Sequence, residues 1–171
     1  RERPGGPLGV RLLDQAIVIA RLGQQVVALD DRCAHRSAKL SLGRVHDGTI
    51  QCPYHGWMYG TDGVCQRIPS CPGLEIPRKA RVANYECEVR YGIVWVRLDS
   101  AFGVSSILYF SGAENPRFRL TLDEPYTWAT SAGRRWENYT DLAHFAFGHP
   151  ITLFDPAYPE PPTVKVDRIG G

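Results

Sequence analysis

The residues best equipped for chemistry stand in two short runs, Cys33-Ala34-His35-Arg36 and Cys52-Pro53-Tyr54-His55-Gly56-Trp57. Each run offers one thiolate and one imidazole, as Cys-x-His and then Cys-x-x-His, with sixteen residues between the two. Four such donors point to a metal centre, and two kinds fit. A [2Fe–2S] cluster can take two Cys on one iron and two His on the other. Exchanging two thiolates for neutral imidazoles leaves the cluster less negative, so it accepts an electron more readily. Structural zinc also takes Cys₂His₂, although its loops usually leave a gap of about two to four residues and Cys-x-His is tighter. A lone Cys or His is ordinarily a core thiol or a surface polar group. Four in this register weigh more. Two ligand loops can grip a cluster from two sides, and Gly43 and Gly56 are expected to give the backbone room to approach the sulfurs.

A second group lies further along, in Glu137-Asn138-Tyr139-Thr140-Asp141-Leu142-Ala143-His144-Phe145-Ala146-Phe147-Gly148-His149-Pro150. Its useful core is Asp141-x-x-His144-x₄-His149. Two imidazoles with one carboxylate form the facial triad of non-haem Fe(II), which leaves coordination positions open. Trp136, Tyr139, Leu142, Ala143 and Phe147 recur at roughly helical spacing, which predicts a helix over Arg135–Phe147. Five residues on a regular helix end about 140° apart, so His144 and His149 could not converge there. Gly148 and Pro150 are expected to end the helix where His149 must swing inward. Asp141, one helical turn before His144, can accept that ring's remaining N–H and fix its tautomer. Against this, a His pair five residues apart is by itself more often surface or core, and Asp141 could be a plain helix-surface carboxylate.

The elements that must position these groups read as short strands over residues 8–98. Ala16–Leu22 and Gln25–Asp30 are β-branched and apolar, with a hairpin at Leu22-Gly23-Gln24. Thr49–Cys52 and His55–Gly60 follow, then a turn at Thr61-Asp62-Gly63; Arg90–Leu98 gives the strongest strand signal. Residues 65–80 carry Pro69, Pro72 and Pro77 and predict an irregular crossing loop, Ser100–Pro116 a linker, and Trp128–Ala132 a possible strand. The fold class is therefore mainly β: a small antiparallel sandwich or barrel over residues 1–100, then over 101–171 a linker and the first part of an α+β domain.

Composition narrows the function classes. With 17 Gly and 13 Pro the chain suits a turn-rich β protein. A formal net charge of +2 gives no reason to expect nucleic acid or membrane as partner. No apolar run approaches the roughly 18–20 residues that span a bilayer. The opening lacks both an initiator Met and an apolar signal region, so a cytoplasmic protein is expected, and both ends look cut. Five Cys, an odd number, favour reduced thiols or ligands over a disulfide framework.

Cys33-Ala-His-Arg with Cys52-Pro-Tyr-His-Gly-Trp resembles the Rieske motif. The resemblance implies a [2Fe–2S] cluster on Cys33, His35, Cys52 and His55. Respiratory Rieske proteins carry a disulfide beside the ligands, but Ala38 and Tyr54 occupy the matching positions here. Trp57 replaces their hydroxyl donor, which predicts a potential near the low end of the Rieske range, roughly −150 mV. Cys65, Cys71 and Cys87 match no ligand position. The later stretch is similar to the Asn-x-x-Asp-x-x-His-x₄-His signature of Rieske non-haem iron oxygenases, in the phthalate-dioxygenase and vanillate-demethylase manner. By that resemblance His144 and His149 hold a mononuclear Fe(II), Asp141 bridges electron transfer between the metals, and Asn138 is a polar group near the iron. The family's third ligand, a carboxylate far downstream, has no counterpart here; Asp155, Glu160 and Asp167 sit in a Pro-rich tail. The implied partners are a reductase or ferredoxin, O₂ and a small aromatic substrate, in a homo-oligomer, commonly a trimer. The implied activity is hydroxylation, dihydroxylation or demethylation. Two other readings remain: a Rieske ferredoxin-type carrier without catalysis, and a zinc-stabilised binding module.

Overall fold

Two-residue turns build most of this fold. The computed structural model describes residues 5–99, 106–122, 127–149 and 155–165. Strand β1 (Leu8–Leu12) turns at Leu13-Asp14 into β2 (Gln15–Leu22), which turns at Gly23-Gln24 into β3 (Gln25–Asp30). Strands β4 (Arg44–His46) and β5 (Thr49–Gln51) join at Asp47-Gly48, and β8 (Asn84–Arg90) and β9 (Ile93–Arg97) at Tyr91-Gly92. In the last two turns both central residues lie in the left-handed region, at φ 47° and 68° for Asp47-Gly48 and 58° and 75° for Tyr91-Gly92. That geometry matches the right-handed twist of the flanking strands. It also revises the expected Arg90–Leu98 strand: Arg90 ends one strand, Tyr91-Gly92 turns the chain, and the next strand starts at Ile93.

The strands form two antiparallel sheets. One runs in the order β1-β2-β3-β8-β9. The other runs β4-β5-β6-β7, with β6 at Met58–Tyr59 and β7 at Cys65–Arg67. Of the expected His55–Gly60 strand only Met58–Tyr59 pairs, because the residues before it form the loop that carries His55. Both sheets contribute to one core. Val18 and Leu29 from the first and Ile50 and Tyr59 from the second are 0% exposed, and Cys33, Cys52 and Cys65 pack among them.

The described residues divide into two compact units, 1–122 and 123–171. Within the first, α1 (Ser111–Glu114) is tied back to the β8–β9 hairpin. Glu114 accepts from Arg90 at 2.7 Å and from the Tyr91 hydroxyl at 3.1 Å, and that hydroxyl accepts from the Phe110 N–H at 3.3 Å. An apolar cavity of about 520 Å³ lies here, lined by Ile93, Phe110, Phe118 and Leu120 among others. Within the second unit Trp128–Ala132 is not a strand. Ser131 instead caps α2 (Ala132–Thr140), accepting from the Arg134 N–H at 3.3 Å, the usual role of a serine before a helix. The expected single helix over Arg135–Phe147 is broken: α2 stops at Thr140, and α3 spans only Phe145–Gly148. The cause is local. Asp141 turns its carboxylate onto the Ala143 N–H at 3.0 Å, and Thr140 bonds back to the carbonyls of Trp136 and Glu137, so side chains take over bonds the helix would have made. Among the described residues no helix is long and apolar enough to cross a membrane.

Candidate metal centres

Cys33 and His35 sit on the loop after β3, and Cys52 and His55 on the loop between β5 and β6. Each ligand loop thus leaves a different sheet. The first is folded tightly on itself: Ser37 N–H donates to the Cys33 carbonyl at 2.8 Å, and Cys33 N–H to the Ala38 carbonyl at 2.9 Å. The second repeats the device, with Gly56 N–H on the Cys52 carbonyl at 3.1 Å and Cys52 N–H on the Trp57 carbonyl at 2.8 Å. Asp31, buried, anchors the return of the first loop by accepting both the N–H and the hydroxyl of Ser41, each at 2.7 Å. The two glycines do something other than expected. A Cβ on Gly43 would collide with the Gln51 carbonyl oxygen, so Gly43 lets the backbone pass against β5 rather than approach a sulfur. Gly56 supplies a left-handed turn at φ 72° beside Pro69.

The structure brings the donors together in two pairs, thiol with thiol and imidazole with imidazole. Both thiols are buried, at 3% for Cys33 and 2% for Cys52, whereas His35 and His55 are exposed. The imidazole rings lie 4.5 Å apart between centroids. Trp57 stacks flat on His35, 4.8 Å between centroids and 2° between planes, so the ring orientation is fixed. Burial pushes the Cys52 thiol above its ordinary value; the backbone N–H groups of Tyr54 and His55 oppose this, and the neighbouring Cys33 adds to it. Desolvation, then His55 and Arg36, push His35 below its ordinary value, which favours the neutral imidazole that binds metal. Among the described residues no three Cys, His, Asp or Glu side chains converge where one ion could be held. A buried thiol pair beside an exposed imidazole pair is the division that a two-iron cluster needs, and tetrahedral zinc does not. The donor set fits the cluster.

Tyr59 was missed by sequence reasoning. It is fully buried, lies 3.1 Å from the Cys33 sulfur and accepts from the Ala34 N–H at 3.1 Å, which leaves its own proton for the sulfur. Burial first, and then Cys33, push this hydroxyl well above its usual range, so it stays a donor. The signal was a phenol two residues beyond Trp57, on the strand that leaves the second ligand loop. The remaining cysteines are free thiols: Cys65 buried, Cys71 exposed and Cys87 half-buried, donating to the Val26 carbonyl at 3.3 Å.

In the second unit, His144 and His149 flank α3, with ring centroids 5.5 Å apart. Asp141 caps the end of α2 instead of standing one helical turn before His144, yet its Oδ2 still comes within 3.4 Å of the His144 Nδ1. That contact is not a hydrogen bond, and this buried Nδ1 has no such partner among the described residues. The Asn138 amide nitrogen is 3.4 Å from the opposite ring nitrogen, Nε2. A carboxylate beside Nδ1 leaves Nε2 to face a metal, so two imidazoles with adjacent polar groups fit a partial iron site. Helix α3 ends at Gly148 as expected; Pro150 and Asp167 lie outside the described residues. Asp155 is exposed and accepts from the Ala157 N–H at 2.9 Å; Glu160 is exposed as well.

The profile of the Rieske [2Fe-2S] domain matches residues 2–86. Methylxanthine N1-demethylase NdmA of Pseudomonas putida is 57% identical over 166 residues, which is 97% of this chain and 47% of that protein. Its solved structure with caffeine superposes at a TM-score of 0.87, covering 92% of this chain and 46% of that one. Methylxanthine N3-demethylase NdmB of the same organism is 49% identical over 170 residues, 97% of this chain and 48% of the other. Dicamba monooxygenase, solved with non-heme iron and dicamba, is 32% identical at a TM-score of 0.60, over 66% of this chain and 35% of that one. The chain spans about half the length of the curated relatives it matches. Paired thiols, paired imidazoles, a matching domain profile and these relatives lead to one conclusion: the chain carries a Rieske [2Fe–2S] domain and is similar along 97% of its length to part of two N-demethylating proteins.

Proposed function

We propose that this chain takes up electrons at a [2Fe–2S] cluster held by Cys33, Cys52, His35 and His55. It then passes them to a mononuclear Fe(II) held by His144 and His149, where O₂ is used to oxidise a small aromatic compound. The observation that carries the reading is the split donor set, two buried thiols against two exposed imidazoles 4.5 Å apart. When bound, the cluster supplies single electrons and the mononuclear iron supplies O₂ activation. The chain's own residues do the rest. Trp57 and the loop hydrogen bonds hold the imidazoles in place, and Tyr59 donates to the Cys33 sulfur. Asp141 sets a carboxylate beside the His144 Nδ1, and Asn138 presents its amide beside Nε2. A carboxylate outside these residues would complete the iron ligands, and a homo-oligomer, a trimer by resemblance, would bring Asp141 beside a neighbouring copy's cluster.

Two of the relatives are named for removing methyl groups from methylxanthines. That favours N-demethylation of a planar N-methylated heteroaromatic over ring hydroxylation. In balance, the N-methyl substrate, O₂, two electrons and two protons give the N–H product, formaldehyde and water. An electron carrier without catalysis is the second reading; the Asp141–His149 arrangement and a likeness extending over 97% of the chain weigh against it.

The test is metal content and turnover of the full-length protein, with dithionite and a reductase as electron sources and caffeine as substrate. The expected result is three irons per chain, a red-brown absorption and formaldehyde release. Cys52→Ser should abolish the colour, and His149→Ala should keep two irons and the colour while ending turnover. Two irons with no turnover would establish a carrier, and a colourless zinc protein would end the redox reading.

A further inference from the structure

Helix α2 puts Arg135, Asn138 and Tyr139 at positions i, i+3 and i+4, so their side chains share one face. Arg135 is held there from two sides. Its Cζ lies 3.4 Å from the centre of the Trp128 ring, which precedes the helix, and 4.0 Å from the centre of the Tyr139 ring. A cation between two aromatic faces is favoured electrostatically, and the planar guanidinium suits the stack. Its Nη2 also donates to the Tyr139 hydroxyl. So placed, its Nη1 donates to the Asn138 Oδ1 at 3.3 Å.

This last bond decides which way the Asn138 amide faces. A guanidinium only donates, so the atom it meets must be the carbonyl oxygen. The amide nitrogen is thereby turned the other way, where it lies 3.4 Å from the His144 Nε2. An N–H directed at Nε2 needs a lone pair there, which places the ring's proton on Nδ1. That is the side on which the Asp141 carboxylate stands, 3.4 Å away. With the amide flipped, its carbonyl oxygen would face Nε2 and favour a proton on the nitrogen left for a metal.

We propose that Arg135 is a positioning residue of the mononuclear site: clamped by Trp128 and Tyr139, it fixes the Asn138 amide so that His144 keeps its Nε2 lone pair ready for the metal. The inference rests on the reading of His144 and His149 as metal ligands and adds the residue that sets one of them. The sign of the effect separates positioning from charge. Coulomb repulsion alone makes a nearby cation a hindrance to a metal ion, so neutralising Arg135 would tighten binding. Loss of a group that orients a ligand weakens it.

The experiment uses the full-length protein stripped of its mononuclear metal, with Co(II) as probe, its uptake followed by equilibrium dialysis and elemental analysis. Arg135→Met should weaken Co(II) binding roughly tenfold or more, and Arg135→Lys, which keeps the charge without the fork, should fall between it and wild type. Asn138→Leu should lose as much as Arg135→Met, and adding Arg135→Met to it should cost nothing further, because the route runs through the amide. Arg134→Met, which removes a neighbouring charge paired with Glu137, should bind Co(II) as wild type does. The cluster spectrum should be the same in all of them. Unchanged or tighter binding in Arg135→Met overturns the proposal. So does an equal loss on top of Asn138→Leu, which would make Arg135 a general brace of the helix. Wild-type binding in Asn138→Leu alone overturns it even where Arg135→Met fails to fold. Co(II) uptake that survives His149→Ala undiminished would instead sink the underlying reading of the histidines, an outcome separable from all of these.

Discussion

Tyr59→Phe removes a single oxygen and isolates what that hydroxyl does for Cys33. A donor aimed at a thiolate stabilises the more negative, reduced cluster, so the variant should have the lower potential. A bond worth about 1 kcal/mol corresponds to roughly 40 mV for one electron. Redox titration of the full-length protein checks this, and an unchanged potential would leave Tyr59 a packing residue. His35 gives a pH prediction for the cluster-free protein. Its folded value is pushed down, so the unfolded chain takes up the proton first as the medium acidifies. Stability is then fully present above the ordinary value of about 6.5 and declines as pH falls below it, until the folded ring also protonates. Melting curves at pH 7.5 and 5.5 test the sign, and His35→Gln should reduce the difference. The four ligands were legible because their types and spacing are written along the chain. Tyr59 was not, because its meaning depends on β6 carrying it back beneath a loop some 26 positions earlier.

Among the elements, the β4–β5 hairpin is the one the cluster depends on most directly. Gly43→Ala would drive a methyl group into the Gln51 carbonyl, one residue before Cys52. Overpacking of this kind typically costs about 1–3 kcal/mol. The expected outcome is a lower melting temperature together with reduced cluster occupancy; unaltered values of both would show that the hairpin can shift freely. In the second unit, Asp141→Ala removes the carboxylate that turns the chain at Ala143 and stands beside His144. Loss of such a supporting group typically costs about 10–100-fold in metal affinity. The mononuclear iron should therefore be depleted while the cluster spectrum stays intact. The hairpin at Gly23 could be read in advance, since its turn residue dictates the backbone, whereas the turns at Asp47-Gly48 and Tyr91-Gly92 went unread. The break after Thr140 could not: Trp136, Tyr139, Ala143 and Phe147 keep helical spacing, and only the side-chain bonds of Thr140 and Asp141 interrupt it.

At the scale of the molecule, a mild net charge concealed a basic stretch around the ligands, since residues 32–81 carry eight Lys and Arg against three Asp and Glu. The first compact unit reaches Leu122 because Glu114 and Phe110 are bonded to the β8–β9 hairpin, a contact that the weak patterning after Asp99 gave no means to foresee. A polypeptide of residues 1–122 should accordingly assemble the coloured centre unaided. Recovery of only colourless aggregate would mean that the unit needs the rest of the protein. The burial of both sulfurs beneath exposed imidazoles also sets how the centre ages. Peroxide and iron chelators arrive from solvent at the histidine end, so the outer iron should be stripped first and the thiol-bound iron should outlast it. Damaged preparations ought then to pass through a one-iron stage, bleaching in two kinetic steps rather than one.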